Sequence, residues 1–200
     1  MKFDILPFGL YGENVYVLHD KKHVLIIDPG AKAKQISAMI GEDEVVDAIL
    51  LTHGHEDHTL SVDDLVDIYH CPVYLHESDF VLVDPQDTRN IGSYVTPVYS
   101  PLHKLDKVLD IGPFHMDVYH TPGHTEGSVC FRYKNMLFSG DTLFAGSCGR
   151  TDLFSGDESK MLASLQFLKT LPRDLTVYPG HGPGTTIGQE ADTNFYMMGL

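Results

Sequence analysis

Apolar residues recur along the chain with two different periods, which predict strands interleaved with helices. Short runs rich in β-branched and aromatic residues predict strands at residues 3–8, 14–18, 23–27, 45–51, 72–75, 107–111, 115–120, 128–133, 136–139 and 175–178. Apolar residues spaced three or four apart predict helices at residues 32–40, 60–69, 77–83 and 157–170. Because strands precede helices in both halves, we expect a mixed α and β fold in layers, with sheets face to face and helices outside.

Three further segments refine this picture. Residues 45–51 are almost continuously apolar, as expected for a strand covered on both faces. Residues 9–12 have the composition of a turn. Residues 84–101 show no period, and connections of that length are usually functional lids or poorly ordered segments. Since no Ser/Pro linker or low-complexity segment interrupts the chain, residues 1–200 are interpreted as a single domain.

Composition and charge narrow the class of protein. The chain has 200 residues, of which 42% are hydrophobic and 21% charged, as in globular proteins. Its net charge of −14, without clusters of Lys or Arg, argues against a nucleic-acid or anionic-membrane partner. Residues 1–4 do not resemble a targeting peptide, and no apolar run approaches membrane-spanning length. The three cysteines are widely spaced, which favours reduced thiols and a cytoplasmic protein.

The segment at residues 52–58 carries His53, His55, Asp57 and His58 directly after a predicted strand. Imidazole and carboxylate are the ligands that divalent transition metals prefer where thiolate is missing. In an extended segment, residues two apart point the same way, so His53, His55 and Asp57 are expected on one side and His58 on the other. The alternative is a solvated, His-rich turn, which the internal position after a strand makes less favoured.

Four more predicted strands end at tight turns that bear a metal-capable side chain. These side chains are Asp28, His124, Asp141 and His181. In layered α/β proteins, active sites gather where strand ends meet loops, and glycines at such turns let the backbone approach a site closely. The candidate metal ligands are therefore His53, His55, Asp57, His58, His124, Asp141 and His181.

The motifs THGHEDH, TPGHTEGS, SGDTLF and YPGHGP, in this order, resemble those of the metallo-β-lactamase-fold hydrolases. Residues 146–152 and 184–190 are most similar to the short glyoxalase II-like branch. The resemblance implies a four-layer αββα sandwich with the metal site at one edge between the sheets.

The resemblance also implies a division of the ligands between two divalent metal ions. One ion is expected on His53, His55 and His124, and the second on Asp57, His58 and His181. Asp141 is expected to bridge both, together with a water or hydroxide. Zinc is the first expectation, while some glyoxalase II relatives take iron or manganese, which bind the same ligand types.

Other residues have two open interpretations. Asp28 is expected to hydrogen-bond a ligand from outside the ligand set, the alternative being a plain Asp-Pro-Gly turn. Arg150 is the candidate for binding a substrate carboxylate, the alternative being a surface ion pair. Tyr94, Tyr99 and Phe144 are interpreted as ordinary packing residues, the alternative being that they line the pocket. The context of Cys148 does not indicate a nucleophile. The remaining histidines are interpreted as surface or core residues: His19, His23, His70, His76, His103, His115 and His120.

These observations predict a metal-dependent hydrolase in which a metal-bridging hydroxide attacks a small anionic thioester. Asp57 and Asp141 are the catalytic candidates, Asp57 by orienting or deprotonating the attacking water. A lactonase-type hydrolase and a mononuclear-iron persulfide dioxygenase remain as alternatives, the latter with iron on His53, His124 and Asp141. A third class is a non-catalytic metal-binding module. The expected state is a monomer or homodimer.

Overall fold

The computed structural model describes residues 2–9, 12–87 and 94–199, and its strands form two six-stranded sheets with one short hairpin. The first sheet follows the order of the chain: β1 (Lys2–Phe8), β2 (Glu13–Asp20), β3 (His23–Ile27), β4 (Val45–Leu50), β5 (Val73–Leu75) and β6 (Leu102–Lys104). The remaining strands are β7 (Val108–Ile111), β8 (Phe114–His120), β9 (Val129–Tyr133), β10 (Met136–Gly140), β11 (Leu143–Phe144), β12 (Ser147–Cys148), β13 (Thr176–Pro179) and β14 (Thr185–Thr186). The second sheet has the spatial order β14-β13-β10-β9-β8-β7, and β11 pairs with β12.

Helices cover the outer face of each sheet. They are α1 (Ala33–Ser37), α2 (Glu56–Thr59), α3 (Val62–Tyr69), α4 (Phe80–Val83), α5 (Glu158–Lys169), α6 (Ile187–Thr193) and α7 (Phe195–Met198), and a 3₁₀ helix at Glu77–Asp79 precedes α4. None of the helices in the described ranges is both long and apolar enough to cross a membrane.

The core is divided by the alternation of side chains along the strands. In β2, Tyr16 and Leu18 face the second sheet, while Val15 and Val17 pack with the helices on the outer face. A separate apolar cluster lies between the second sheet and α5–α7. Because successive residues of a strand point to opposite faces, each sheet is buried on both sides. The predicted mixed α/β fold, with two sheets enclosed by helices, is confirmed; the single-domain interpretation stays a prediction.

Parallel pairing brings strand ends to the same edge of each sheet. β3 pairs in parallel with β4, and β10 pairs in parallel with β13. Strands paired in parallel end on the same side, so the segments after β3 and β4 lie together, as do those after β10 and β13. The backbone N–H of Asn14 in β2 donates to the carbonyl of Gly180 after β13 (2.7 Å), which joins the two sheets at this edge.

Several predicted elements differ from the structure in length or environment. The helix predicted at residues 32–40 is only Ala33–Ser37, and the strand predicted to be covered on both faces begins with Val45, which is 58% exposed. The strands β6, β11, β12 and β14 and the helices α2, α6 and α7 were not predicted. The two- and three-residue strands are too short to show a period. The turn at residues 9–12 and the connection at residues 84–101 lie partly outside the described residues.

Substitution of Phe138 tests the core between the two sheets. Its side chain is fully buried, with ring centroids 5.1 Å from Tyr16 and 5.5 Å from Tyr178. We expect Phe138→Ala to lower the free energy of unfolding by about 3–5 kcal/mol through lost burial and a cavity. Phe167→Ala, at a ring that is 40% exposed, should cost about 1 kcal/mol or less. Urea unfolding at constant metal loading measures both, and equal losses would contradict this account of the core.

Candidate metal centre

The segment after β4 changes conformation in the middle of the histidine cluster. His55 has extended backbone angles (φ −75°, ψ 153°) and precedes α2, which begins at Glu56. Side chains two residues apart therefore point the same way at His53 and His55. This alternation ends at His55, because Asp57 and His58 lie in a helical turn. The expectation that Asp57 shares a side with His53 and His55 is wrong.

Three overlapping groups of side chains have ligand atoms within 4.8 Å of one another. The groups are His53, His55 and His124; His53, His58 and Asp141; and Asp57, His58 and His181. All seven residues predicted as metal ligands thus converge, although they come from four separate segments of the chain. His53, His58 and Asp141 link the two outer groups into one cluster.

Several side chains of this cluster carry buried nitrogen or oxygen atoms without hydrogen-bond partners. His53 and His58 have no exposed surface, and His55 is 3% exposed. Among the described residues, the Nε2 atoms of these three histidines and the Oδ1 of Asp141 have no hydrogen-bond partner. Leaving a buried polar atom unpaired costs about 1–3 kcal/mol, and a bound cation removes that cost. The residues present therefore fit a metal centre.

Asp28 holds one end of this cluster by three hydrogen bonds. Its carboxylate accepts from the backbone N–H of Thr52 (2.7 Å), the hydroxyl of Thr52 (2.6 Å) and the Nδ1–H of His58 (3.0 Å). The Thr52 hydroxyl in turn accepts from the Nδ1–H of His53 (3.0 Å). Because Nδ1 donates in both histidines, their Nε2 atoms are left for the cluster. Asp28 thus hydrogen-bonds His58, a candidate ligand, and its predicted role outside the ligand set stays a prediction.

His124 and His181 are each fixed by backbone contacts. The Nδ1–H of His124 donates to the carbonyl oxygen of Arg150 (2.7 Å), so its Nε2 faces the Nδ1 of His55 at 2.8 Å. The turn that carries His181 is tied to β2. The amide group of Asn14 donates to the carbonyls of Pro179 (3.1 Å) and Gly182 (2.9 Å). Asn14 was not predicted from the sequence, although a polar side chain within an apolar strand run was the available signal.

The electrostatics of the cluster divide it into a neutral and a charged part. Burial, with help from neighbouring histidines, lowers the pKa of His53 well below its usual value and that of His55 to about 3. Burial also opposes protonation of His58 and His181. Even so, the carboxylates of Asp141 and Asp28 raise the pKa of His58 well above normal, and Asp141 and Asp57 raise the pKa of His181 to about 10.

A cavity of about 360 Å³ opens onto the cluster. It is lined by His55, Glu56, Asp57, Tyr94, His124, Asp141, Phe144, Arg150, Leu153 and His181. Tyr94 and Phe144 thus face the cavity, which the interpretation as ordinary packing missed, whereas Tyr99 is 76% exposed elsewhere. Arg150 lines the cavity, and its guanidinium donates two hydrogen bonds to Asp152 (2.6 and 2.7 Å). Both open interpretations of Arg150 therefore have a structural basis.

The remaining expectations concern residues outside the cluster. Burial raises the pKa of the Cys148 thiol to about 11, which agrees with a residue that is not a nucleophile. In the described part of the chain, the seven histidines without a motif contribute to none of the three ligand groups.

Removal of the Asp28 carboxylate should weaken metal binding. Asp28 has a left-handed backbone (φ 50°) that Asn also adopts readily, so Asp28→Asn preserves the turn. Loss of the acceptor for His58 should reduce metal affinity by about 10–100-fold, measured by competition with a chelator. The control is Asp110→Asn, because Asp110 accepts from the Nδ1–H of His115 (2.7 Å) on the surface. Wild-type affinity in Asp28→Asn would contradict this role.

Metal uptake should release protons mainly from the charged part of the cluster. Near pH 7, His53 and His55 are neutral, while His58 and His181 hold protons that a metal must displace. Affinity at the Asp57, His58 and His181 group should therefore fall with falling pH, by about tenfold per pH unit for each displaced proton. Calorimetry in buffers of different ionisation enthalpy measures this release, which His181→Ala should reduce. Equal release in both proteins would contradict the assignment.

Comparison with known proteins gives the same family along almost the whole chain. The sequence model of the metallo-beta-lactamase superfamily matches residues 8–181. The chain is 36% identical to the probable metallo-hydrolase YqgX of Bacillus subtilis (strain 168), over 100% of this chain and 99% of that protein. It is 32% identical to the hydroxyacylglutathione hydrolase GloC of Haemophilus influenzae, over 98% of both chains.

Solved structures agree in fold. The BLEG-1 B3 metallo-beta-lactamase matches with a TM-score of 0.87 and 42% identity, over 98% of this chain and 99% of that one. TTHA1623 in a di-iron-bound form matches with a TM-score of 0.85 and 38% identity, over 96% of this chain and 99% of that one. ETHE1 from Myxococcus xanthus matches with a TM-score of 0.78 and 26% identity, over 100% of this chain and 85% of that one. The resemblance drawn from the motifs is confirmed, and the chain belongs to the metallo-beta-lactamase superfamily.

Proposed function

We propose that this protein is a metal-dependent hydrolase of thioesters, similar to glyoxalase II, with two divalent metal ions. The observation that carries the proposal is the pair of outer ligand groups joined through Asp141. The Oδ2 of Asp141 lies 3.4 Å from the Nε2 of His124 and 3.5 Å from that of His181, and its Oδ1 lies 3.4 Å from the Nε2 of His58. Asp141 therefore reaches both groups, as a bridging ligand must.

The proposed ligands follow the two groups. His53, His55 and His124 hold one ion, Asp57, His58 and His181 hold the other, and Asp141 contributes to both. We propose zinc, which suits imidazole and carboxylate donors. The di-iron form of TTHA1623 supports divalent metals in a similar chain, and iron and manganese bind the same ligand types.

The chemistry of hydrolysis follows from the donors and the cavity. Bound metal ions of this kind supply a hydroxide near neutral pH and polarise a carbonyl oxygen. Asp57 has 31% of its side chain exposed and lines the cavity, with its Oδ2 3.4 Å from the Nε2 of His181. We propose that this carboxylate orients the attacking water and accepts its proton. A thiol leaving group has a pKa of about 8.5, so it departs as the thiolate without a general acid.

The cavity supports a small acyl substrate. Tyr94, Phe144 and Leu153 form apolar parts of its wall and exclude water from the acyl group, while Arg150 is the proposed partner of a substrate carboxylate. GloC of Haemophilus influenzae is named a hydroxyacylglutathione hydrolase, and its similarity over the whole chain supports a thioester. We place the reaction in the cytoplasm because the cysteines are free thiols. We propose a monomer or homodimer without a nucleic-acid or membrane partner.

Two substitutions test the proposed ligands and catalytic residue. His53→Ala and Asp57→Ala should each lower kcat/KM for S-lactoylglutathione by at least about 100-fold, because each removes a ligand or the proton acceptor. The control is His115→Ala, which removes an exposed histidine that pairs with Asp110. Metal content and circular dichroism are measured on each variant. Full activity in a folded, metal-assayed His53→Ala or Asp57→Ala protein would exclude these roles.

The substrate screen separates the proposed reaction from its alternatives. It compares S-lactoylglutathione with a lactone and a cephalosporin, the latter because BLEG-1 is named a metallo-beta-lactamase. Oxygen uptake with glutathione persulfide tests the dioxygenase alternative. Two metal ions per chain with thioester hydrolysis support the proposal, and the presence of a second ligand group favours that result. One iron per chain with oxygen consumption would overturn it.

A further inference from the structure

We infer that Asp79 is a positioning residue that holds the loops of His53, His55 and His124 at a fixed separation. The inference rests on the proposed function, because it assigns these histidines to one metal ion. Asp79 is fully buried at the end of the 3₁₀ helix Glu77–Asp79 and is not itself in any ligand group of the described residues.

Three hydrogen bonds connect Asp79 to both loops. Its Oδ2 accepts from the backbone N–H of Gly54 (3.0 Å), the residue between His53 and His55. The same oxygen accepts from the hydroxyl of Thr125 (2.7 Å), which follows His124. Its Oδ1 accepts from the backbone N–H of Gly127 (2.7 Å). One carboxylate therefore joins two segments about 70 residues apart in sequence, each of which carries ligands of the same group.

Both loops pack closely against the segment that carries Asp79. A Cβ added at Gly127 would lie 2.6 Å from the Cγ of Asp79, and one added at Gly54 would lie 2.8 Å from the Cβ of Leu82. Both glycines thus allow the loops to approach the segment that carries Asp79. A fixed approach sets the distance between the loops, and metal affinity depends on that distance.

The chemistry of the side chain explains why a carboxylate is needed. All three partners donate, and an ionised carboxylate is an acceptor at both oxygens. An amide of the same shape would turn one NH₂ group toward a donor, so one buried N–H would lose its partner. Burial raises the pKa of Asp79 to about 6, against the effect of its hydrogen bonds, so the side chain is mostly ionised near pH 7.5. Asp79→Asn is therefore an isosteric test that removes an acceptor and keeps the volume.

The experiment isolates the three-histidine group. In the full-length chain with His181→Ala, the second group is incomplete, and competition between a chelator and the protein for Zn²⁺ measures the affinity of the first. We expect Asp79→Asn in this background to lower that affinity by about 10–100-fold. The measurement needs no substrate, so a chain that binds Zn²⁺ but hydrolyses no thioester would overturn the proposed function and leave this inference intact.

Two controls distinguish positioning from general loss of structure. Asp63 also ties down a loop, since its carboxylate accepts from the backbone N–H of Tyr99 (3.0 Å) and from the N–H (2.8 Å) and hydroxyl (2.6 Å) of Ser100. Asp63→Asn should leave Zn²⁺ affinity unchanged. Thr125→Val removes the hydroxyl bond to Asp79 and should weaken affinity, whereas Thr125→Ser retains it and should not.

The outcomes decide the inference even if one variant fails to fold. If Asp79→Asn is unfolded by circular dichroism, the comparison of Thr125→Val with Thr125→Ser carries the test. Wild-type affinity in folded Asp79→Asn and in Thr125→Val would overturn the inference. An equal loss in Asp63→Asn would also overturn it, because the effect would then follow from loosening any loop. A parent chain that binds no Zn²⁺ would overturn the proposed function together with the inference.

Discussion

The hydrogen bonds of the Asp28 carboxylate are the interaction on which the rest of the metal centre depends. Asp28 directly follows β3, and both of its partners, Thr52 and His58, follow β4. A buried carboxylate is stable only when its oxygens are paired, and here the pairing determines which nitrogen of His58 carries a proton. The parallel pairing of β3 with β4 is what places these groups side by side. The pairing of these two strands thus determines how the imidazole ring of His58 is oriented.

The centre is held from three directions by polar groups that are not ligands. Asp28 fixes the segment after β4 from within the first sheet, and Asn14 fixes the turn of His181 across to the second. Asp79 connects the two loops that carry His55 and His124. Asn14 and Asp79 bond mainly to backbone, whereas Asp28 accepts one hydrogen bond from backbone and two from side chains. The cluster contains buried nitrogen atoms without hydrogen-bond partners, whereas the side chains of Asp28, Asn14 and Asp79 around it are hydrogen-bonded.

Much of the fold and the members of the candidate ligand cluster could be predicted from the sequence, since both depend on local signals. The spacing of apolar residues predicts the long strands. Because strand ends meet at one edge of a sheet, distant residues such as Asp28 and His181 can be predicted to lie at the same site. The predicted alternation of side chains along the segment after β4 is wrong from Glu56 onwards, because a helix begins there. Asp79 and Asn14 could not be identified as anchors, because their partners lie 25 to 168 residues away in the chain. Their roles appear only once the loops are folded against them.

The pairing of β2 with the turn of His181 has a consequence for the order of biosynthesis. Chains emerge from the ribosome with the N-terminus first, and early segments begin to fold before later ones exist. Asn14 is made near the start, but the carbonyls that it binds belong to Pro179 and Gly182. The His53 and His55 pair can therefore meet His124 while synthesis continues, whereas the candidate group that contains His181 closes only after residues 179–182 have been made. A nascent chain that has not yet reached residue 182 therefore lacks the contacts by which Asn14 holds the turn of His181.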